Sequence, residues 1–407
     1  MPLLKFISIT VLWTASAFAQ WPDSPNFNLH ICGAGGEQAI TKIVATSGGG
    51  CYVSWFDNRD GGYGVYMQRL DASGNPMWAN DGILIADRSY TWTMDFDLDV
   101  DAIGNAVVVY RKNMSGGDGI VVSSVSESGK IRWHKTVQNA GTFVASPVVT
   151  AIDNEIVVGW ISDADSKFQR LNSKGATQWF PLPTVSDPAG GSFEVADLHP
   201  SIDGSVIAAF VQYTTFLGSK RLYAQRIGLQ GNQVWSDPTA VMSNNSLQIG
   251  AYPDFVGDGN GGGMFTWYGV SPLQVYASHV LFNGSHGYGG SIQVASSSGN
   301  TQRVNPIGCR DGDEFVVFFR PQDNNQSNDG VAAQRLASDG TLLWGSAGVV
   351  LKPTSSSPQY GSFAAAKTDV GVTLFYGSSA SFGSDVVQGV SLDGKGNMQW
   401  SPEFVSV

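Results

Sequence analysis

The sequence predicts an all-β fold, a seven-bladed β-propeller with four antiparallel strands per blade. Three observations predict it. First, a glycine followed four residues later by an aromatic recurs as Gly74/Trp78, Gly129/Trp133, Gly175/Trp179, Gly231/Trp235, Gly284/Tyr288, Gly340/Trp344 and Gly396/Trp400. Successive aromatics stand 55, 46, 56, 53, 56 and 56 residues apart, and self-similarity at a fixed period marks a repeat architecture. Second, another aromatic column, Trp55, Tyr110, Trp160, Phe210, Trp267, Phe319 and Tyr376, ends short runs rich in Val, Ala, Phe and Gly. Third, no stretch of helix length carries a 3.6-residue apolar period. A unit of about 55 residues holding four strands has the size of a propeller blade.

Taken in order, residues 1–19 read as a secretory signal. Lys5 supplies the positive charge, Phe6 to Ser16 the apolar run, and Ala17-Phe18-Ala19 the cleavage site. The run is too short to span a bilayer. The mature chain, 20–407, is expected to be one propeller domain, secreted or periplasmic and not inserted in a membrane. Within it, residues 20–36 form an N-terminal segment, and Phe27 to Cys32 are expected to add a strand that completes ring closure. The fourth unit illustrates a blade. Pro200 to Ile202 reads as a short inner strand, Asp203-Gly204 as a turn, Val206 to Phe210 and Leu222 to Ile227 as the second and third strands. Leu229-Gln230-Gly231 is a turn, and Gln233 to Trp235 begins the fourth strand. Glycine in such turns supplies the positive φ that a tight hairpin needs. Cys32 and Cys51 are near enough in sequence to pair after export, or stand as separate buried thiols; Cys309 has no sequence-near partner.

Composition agrees with a repeat of turns and buried sheets. Of 407 residues, 50 are Gly and 12 Trp, charged residues are 14%, and the net charge is −11. So few charges with so many aromatics exclude a disordered chain, and the acidic balance argues against a general nucleic-acid binder. No CxxC or Cys/His cluster suggests zinc.

The turn around Asp71-Ala72-Ser73-Gly74 and Trp78 resembles the repeat of quinoprotein-type propellers, where Asp-x-x-Thr-Gly-x-x-x-Trp recurs in each blade. Trp55-Phe56-Asp57-Asn58-Arg59 followed by Tyr66-Met67-Gln68-Arg69-Leu70 resembles a longer unit of secreted bacterial seven-bladed propeller proteins of unassigned function. The resemblance implies the fold and covers nearly all the mature chain. It implies no cofactor here, because the adjacent cysteine pair of the quinone enzymes is missing.

Residues at repeated positions are expected to be structural. The turn tryptophans should pack between blades, and the third-strand pairs Gln68-Arg69, Gln169-Arg170, Gln225-Arg226 and Gln334-Arg335 should fix a guanidinium between neighbouring sheets. Ligand contacts are then sought where the repeat breaks. Tyr90 and Trp92, in the connection between blades one and two, suit a stacking platform. Arg59, Arg111, Lys112, Lys220, Arg221 and Arg320, in loops between second and third strands, would gather cations on one face. That arrangement points to an anionic glycan, or to an envelope or cell-surface protein, bound by a monomer. Asp95, Asp97, Asp99 and Asp101 alternate along a strand and are the place where a structural calcium would find oxygens. Same-face neighbours ~6.5–7 Å apart cannot all share one ion, so no metal or cofactor is expected. For catalysis, His199 and Tyr213 are the candidates. Both are expected to emerge on one face beside Lys220 and Arg221, as a uronate-cleaving polysaccharide lyase would require of a base and a neutralising cation. The sequence favours a non-catalytic binder of a glycan, polymer or protein; the alternatives are that lyase and an envelope assembly scaffold.

Overall fold

Seven four-stranded antiparallel sheets follow one another along the chain in the computed structural model. The structure describes residues 29–87, 95–215, 217–242, 245–253, 255–296, 301–369, 371–381, 385–400 and 405–406. The chain is a seven-bladed β-propeller. Each sheet is built from four consecutive strands paired in sequence order. In blade one these are Gln38–Ala45, Cys51–Asp57, Gly64–Leu70 and Ile83–Ala86. A three-residue 3-10 turn, Ile202–Gly204, is the one helical element among the described residues.

Blade four confirms the second and third strands and corrects the other two. Its inner strand is Ser192–Pro200, not a short piece ending at Ile202, and its outer strand is Thr239–Ala240, beyond Trp235. Gln233 makes only an isolated bridge to Ile227. The sequence hid the inner strand because it alternates charged and apolar residues (Glu194, Asp197), and hid the outer strand because the turn tryptophan ahead of it looks like strand. That tryptophan instead turns into the junction with the next blade.

The column aromatics of the second strands are all buried, from 0% exposed at Trp160, Phe210 and Tyr376 to 3% at Trp55 and Tyr110. These strands have both faces covered, so they read as unbroken apolar runs such as Ala106–Val109. Six apolar cores lie between consecutive blades, from the one joining Phe56 and Val65 to Phe96 and Val108, to the one joining Phe318 and Val331 to Leu374 and Tyr376.

The remaining face of blade one is covered differently. On blade one, the face opposite blade two carries Cys51, Val53, Trp55, Tyr66 and Leu70, and the residues packed on it are Leu29, Ile31 and Cys32. The described part of the N-terminal segment is therefore an apolar strap and not the ring-closing strand expected at Phe27 to Cys32; Phe27 and Asn28 fall outside the described residues, as do residues 1–19. Arg59 pins the strap, donating to the Cys32 sulfur (3.1 Å), the Asp57 carboxylate (2.5 Å) and the Asp81 carbonyl (2.9 Å). Cys32 thus sits at the Asp57 end of the second strand, six residues from Cys51. At about 3.3 Å per residue that is about 20 Å, far beyond disulfide reach, and all three cysteines are free.

Candidate functional site

The start of each inner strand and the hairpin joining second to third strands meet at one end of the propeller, as the pairing of Ser192 with Tyr213 and of Tyr213 with Lys220 requires. The predicted cations are at this end, but only Arg59 is in a loop: Arg111, Lys112 and Arg320 lie in second strands and Lys220 and Arg221 in a third, and most are consumed internally. Arg111, 6% exposed, is held by Asp95, Asp118 and the Val144 carbonyl. Arg320 donates to the Tyr360 carbonyl and faces Asp329. Arg59 is the strap clamp and stacks 4.1 Å over Tyr66. Lys220 is buried, its amine 4.0 Å over the Tyr213 ring. Only Lys112 and Arg221 of the six are exposed. In a blade, long cations next to a strand edge find backbone carbonyls and carboxylates before they find solvent. Tyr90 and Trp92 lie outside the described residues.

The aspartate series is also structural. Asp95 pairs with Arg111 (3.2 Å), and Asp101 caps its own turn through the Ile103 and Asn105 amides. Asp97 and Asp99 accept the Val149 and Ala151 amides at 2.9 and 2.7 Å. Those amides belong to the free edge of the next blade's inner strand. Asp197 does the same for Phe255 (3.1 Å). An unpaired strand edge must be satisfied somehow, and here each carboxylate reaches across the blade boundary to do it.

His199 and Tyr213 do not come together. His199 pairs with Ile207 at one end of the inner strand, and Tyr213 pairs with Ser192 at the other. Seven residues of strand separate the two levels, about 23 Å. His199 rests its ring edge on Phe255 (4.5 Å) and its Nε2 lies 3.1 Å from the Asp197 carboxylate. Burial, the charge of Glu194 and a hydrogen bond to it push the Tyr213 hydroxyl well above its usual pKa, opposite to what a general base at neutral pH requires. The two candidates therefore do not share the one face expected of them.

A different cluster occupies the mouth. Buried Glu194 of blade four accepts hydrogen bonds from Tyr213 (3.0 Å), from Tyr252 of the segment leading into blade five (2.9 Å) and from Ser146 of blade three. Burial and the Glu194 charge also raise the Tyr252 hydroxyl. Burial lowers the Lys220 amine, opposed by Glu194. Tyr252 is also a wall of a cavity of about 530 Å³ between blades five and six. Phe255, Trp267, Tyr268, Phe315 and Phe363 supply its other aromatic surfaces, with Thr266, Asn305 and Ser362 as polar groups. None of the described lining residues carries a formal charge.

Backbone irregularity makes the room. Ser146, Asn305 and Ser362 each sit at a break in inner-strand pairing with φ near 50°. Positive φ at a non-glycine residue costs energy and tends to persist at functional sites, and a bulge re-aims the chain. Asn305 and Ser362 line the cavity, while Ser146 bonds Glu194. By pairing register, the equivalents of His199 are Asp99 and Thr150. Glu194, Trp267 and Phe363 were missed as site residues because no local motif distinguishes them from ordinary blade positions.

No family model and no curated protein matches the chain. Among solved structures, a protein from Lactobacillus plantarum is similar at 14% identity, covering 82% of this chain and 90% of that one, with a TM-score of 0.47. A protein of unknown function from Dyadobacter fermentans shares 10% identity over 88% and 94% of the two chains, TM-score 0.48. Prolyl oligopeptidase B from Galerina marginata shares 12% identity over 90% of this chain and half of its own length, TM-score 0.49. Likenesses of this degree carry no argument about this chain.

Proposed function

We propose that this protein is an exported, non-catalytic binding module that takes an uncharged segment of a glycan into the cavity at its loop-bearing end. The observation that carries the proposal is the 530 Å³ cavity lined by Tyr252, Trp267, Tyr268 and Phe363 with few polar groups. Its volume lies within the range of small-ligand sites, which are largely apolar with a small number of orienting polar groups. Aromatic faces match the C–H faces of sugar rings, and Asn305 and Thr266 supply hydroxyl partners. The anionic-glycan expectation loses its main support, since four of the six cations are engaged within the fold.

The test is affinity electrophoresis of the mature protein through gels containing neutral or uronate-rich polysaccharides. At least one neutral polymer should retard it, and Phe363→Ala should abolish the retardation. If only uronate polymers retard it, and Lys112→Ala or Arg221→Ala removes the effect while Phe363→Ala does not, the cavity is not the site. Release of unsaturated products from any uronate polymer would overturn the non-catalytic reading.

A further inference from the structure

We infer that Glu194 is a positioning residue, holding the Tyr252 ring as one wall of a subsite for an uncharged pyranose. The inference rests on the glycan-binding reading and specifies its ligand.

Glu194 is 3% exposed, and a carboxylate that deep is tolerated only when its oxygens are satisfied. Three hydroxyls do so: Ser146 of blade three on Oε1, and Tyr213 of blade four and Tyr252 of the segment leading into blade five on Oε2. Lys220 stacks on Tyr213 and supplies the nearby positive charge. The carboxylate therefore ties blades three and four to the segment leading into blade five at the mouth. Of its three donors, Tyr252 is the one that also lines the cavity.

Two consequences follow for Tyr252. Its hydroxyl is committed to Glu194, so what it presents to a ligand is the ring face and not a donor. Its two side-chain torsions are fixed by the backbone at one end and the Glu194 bond at the other. The face is thus set before a ligand arrives, which removes an ordering cost from binding. The charge of the surroundings selects the ligand. No described lining residue is cationic, and a carboxylate stands directly behind Tyr252. A uronate in this subsite would face a buried carboxylate with no cation among the described lining residues, whereas a neutral pyranose needs only the ring face and the Asn305 and Thr266 groups.

The experiment measures affinity of the mature protein and its Glu194→Gln, Glu194→Ala and Tyr252→Phe variants. The probes are β-1,4-linked glucose, mannose and xylose oligosaccharides and one uronate oligosaccharide. Tyrosine ionisation is followed in parallel by ultraviolet absorbance as pH rises. On a neutral sugar that the parent binds, Glu194→Ala should weaken binding about tenfold, the scale of a lost aromatic contact. Tyr252→Phe should weaken it several-fold. Glu194→Gln, whose amide oxygen still accepts, should recover most of the loss, and the uronate should stay unbound. In Glu194→Gln two tyrosines should ionise at lower pH than in the parent, because burial still raises them but the Glu194 charge that adds to it is gone.

If the parent binds a neutral sugar and Glu194→Ala binds it equally, the positioning role is overturned while the glycan reading stands. If the parent binds none of the neutral sugars, the glycan reading and the subsite fall together. Equal binding of the neutral sugar by Tyr252→Phe and the parent overturns the hydrogen-bonded tether even where Glu194→Ala weakens binding. Should Glu194→Ala fail to fold, Glu194→Gln and Tyr252→Phe still decide between these outcomes.

Discussion

The indole N–H of Trp179 crosses to the next blade and donates to the Leu229 carbonyl at 2.9 Å. The same bond joins Trp78 to Glu127, Trp133 to Ser173, Trp235 to Phe282 and Trp344 to Gly394. In each case the acceptor lies two residues before the glycine of the next turn. A cross-strand glutamine braces the tryptophan from its own blade: Gln169 Oε1 accepts the Trp179 amide and its Nε2 donates to the Trp179 carbonyl. Trp179→Phe should therefore cost about 1 kcal/mol, one hydrogen bond, and Trp179→Ala about 3–5 kcal/mol, read from urea unfolding midpoints. Gly231, at φ +81°, has the Trp179 ring 3.2 Å and the Pro183 Cγ 2.5 Å from where a Cβ would stand. Gly231→Ala should thus destabilise by at least about 1 kcal/mol in the same assay. These roles were legible in the sequence because a glycine and an aromatic, tryptophan in six of seven copies, recur at one spacing. The third-strand arginines were legible for the same reason: Arg170 and Arg226 reach backbone carbonyls of the following blade, at Gly204 and Phe282. Arg335 departs from that expectation, pairing with Glu314 and Asp311 of its own blade.

At the level of elements, the inner strands decide most of what the sequence left open. Their free edges carry amides that no fifth strand can pair, and carboxylates of a neighbouring blade supply the acceptors. Asp99→Ala should leave the Ala151 amide without its partner, and hydrogen exchange at that amide should accelerate while exchange in the outer strands stays unchanged. The strap clamp offers a pH test. Burial pushes the Asp57 carboxyl up, but hydrogen bonds from Arg59 and Trp55 outweigh it and hold its pKa well below the ordinary carboxylate range. A lowered folded-state pKa contributes stability that is present above the unfolded value of about 3.9 and is lost as pH falls below it. Asp57→Asn should accordingly cost about 2 kcal/mol at pH 7, and the gap to the parent protein should narrow as pH drops below about 4. A gap independent of pH would refute the ion pair as its source.

Across the whole molecule, six junctions between consecutive blades are two-sided apolar cores, and the face of blade one turned away from blade two is covered by the strap. Ile43, whose register positions in the next three blades are buried Leu98, Val149 and Leu198, is 69% exposed on this side of blade one. Ile31→Ala should therefore cost about 1–2 kcal/mol although Ile31 belongs to no blade. The protein should also retain three titratable thiols when denatured without reductant.

The number of blades, the four strands in each and the packing role of the turn tryptophans were set by the sequence, because local turn chemistry and strand periodicity repeat every 55 residues or so and each repeat reports on itself. The cavity and the Glu194 cluster were decided only by the tertiary structure. Ser146, Glu194, Tyr213 and Tyr252 come from two blades and the segment leading into a third and share no motif, and their meeting depends on how neighbouring sheets twist and where inner strands bulge. The cations and the histidine that stood out against the repeat did so because they were unusual in the pattern. The fold spends most of them on its own backbone carbonyls and carboxylates, since a charge beside a buried sheet is stabilised by the nearest fixed partner.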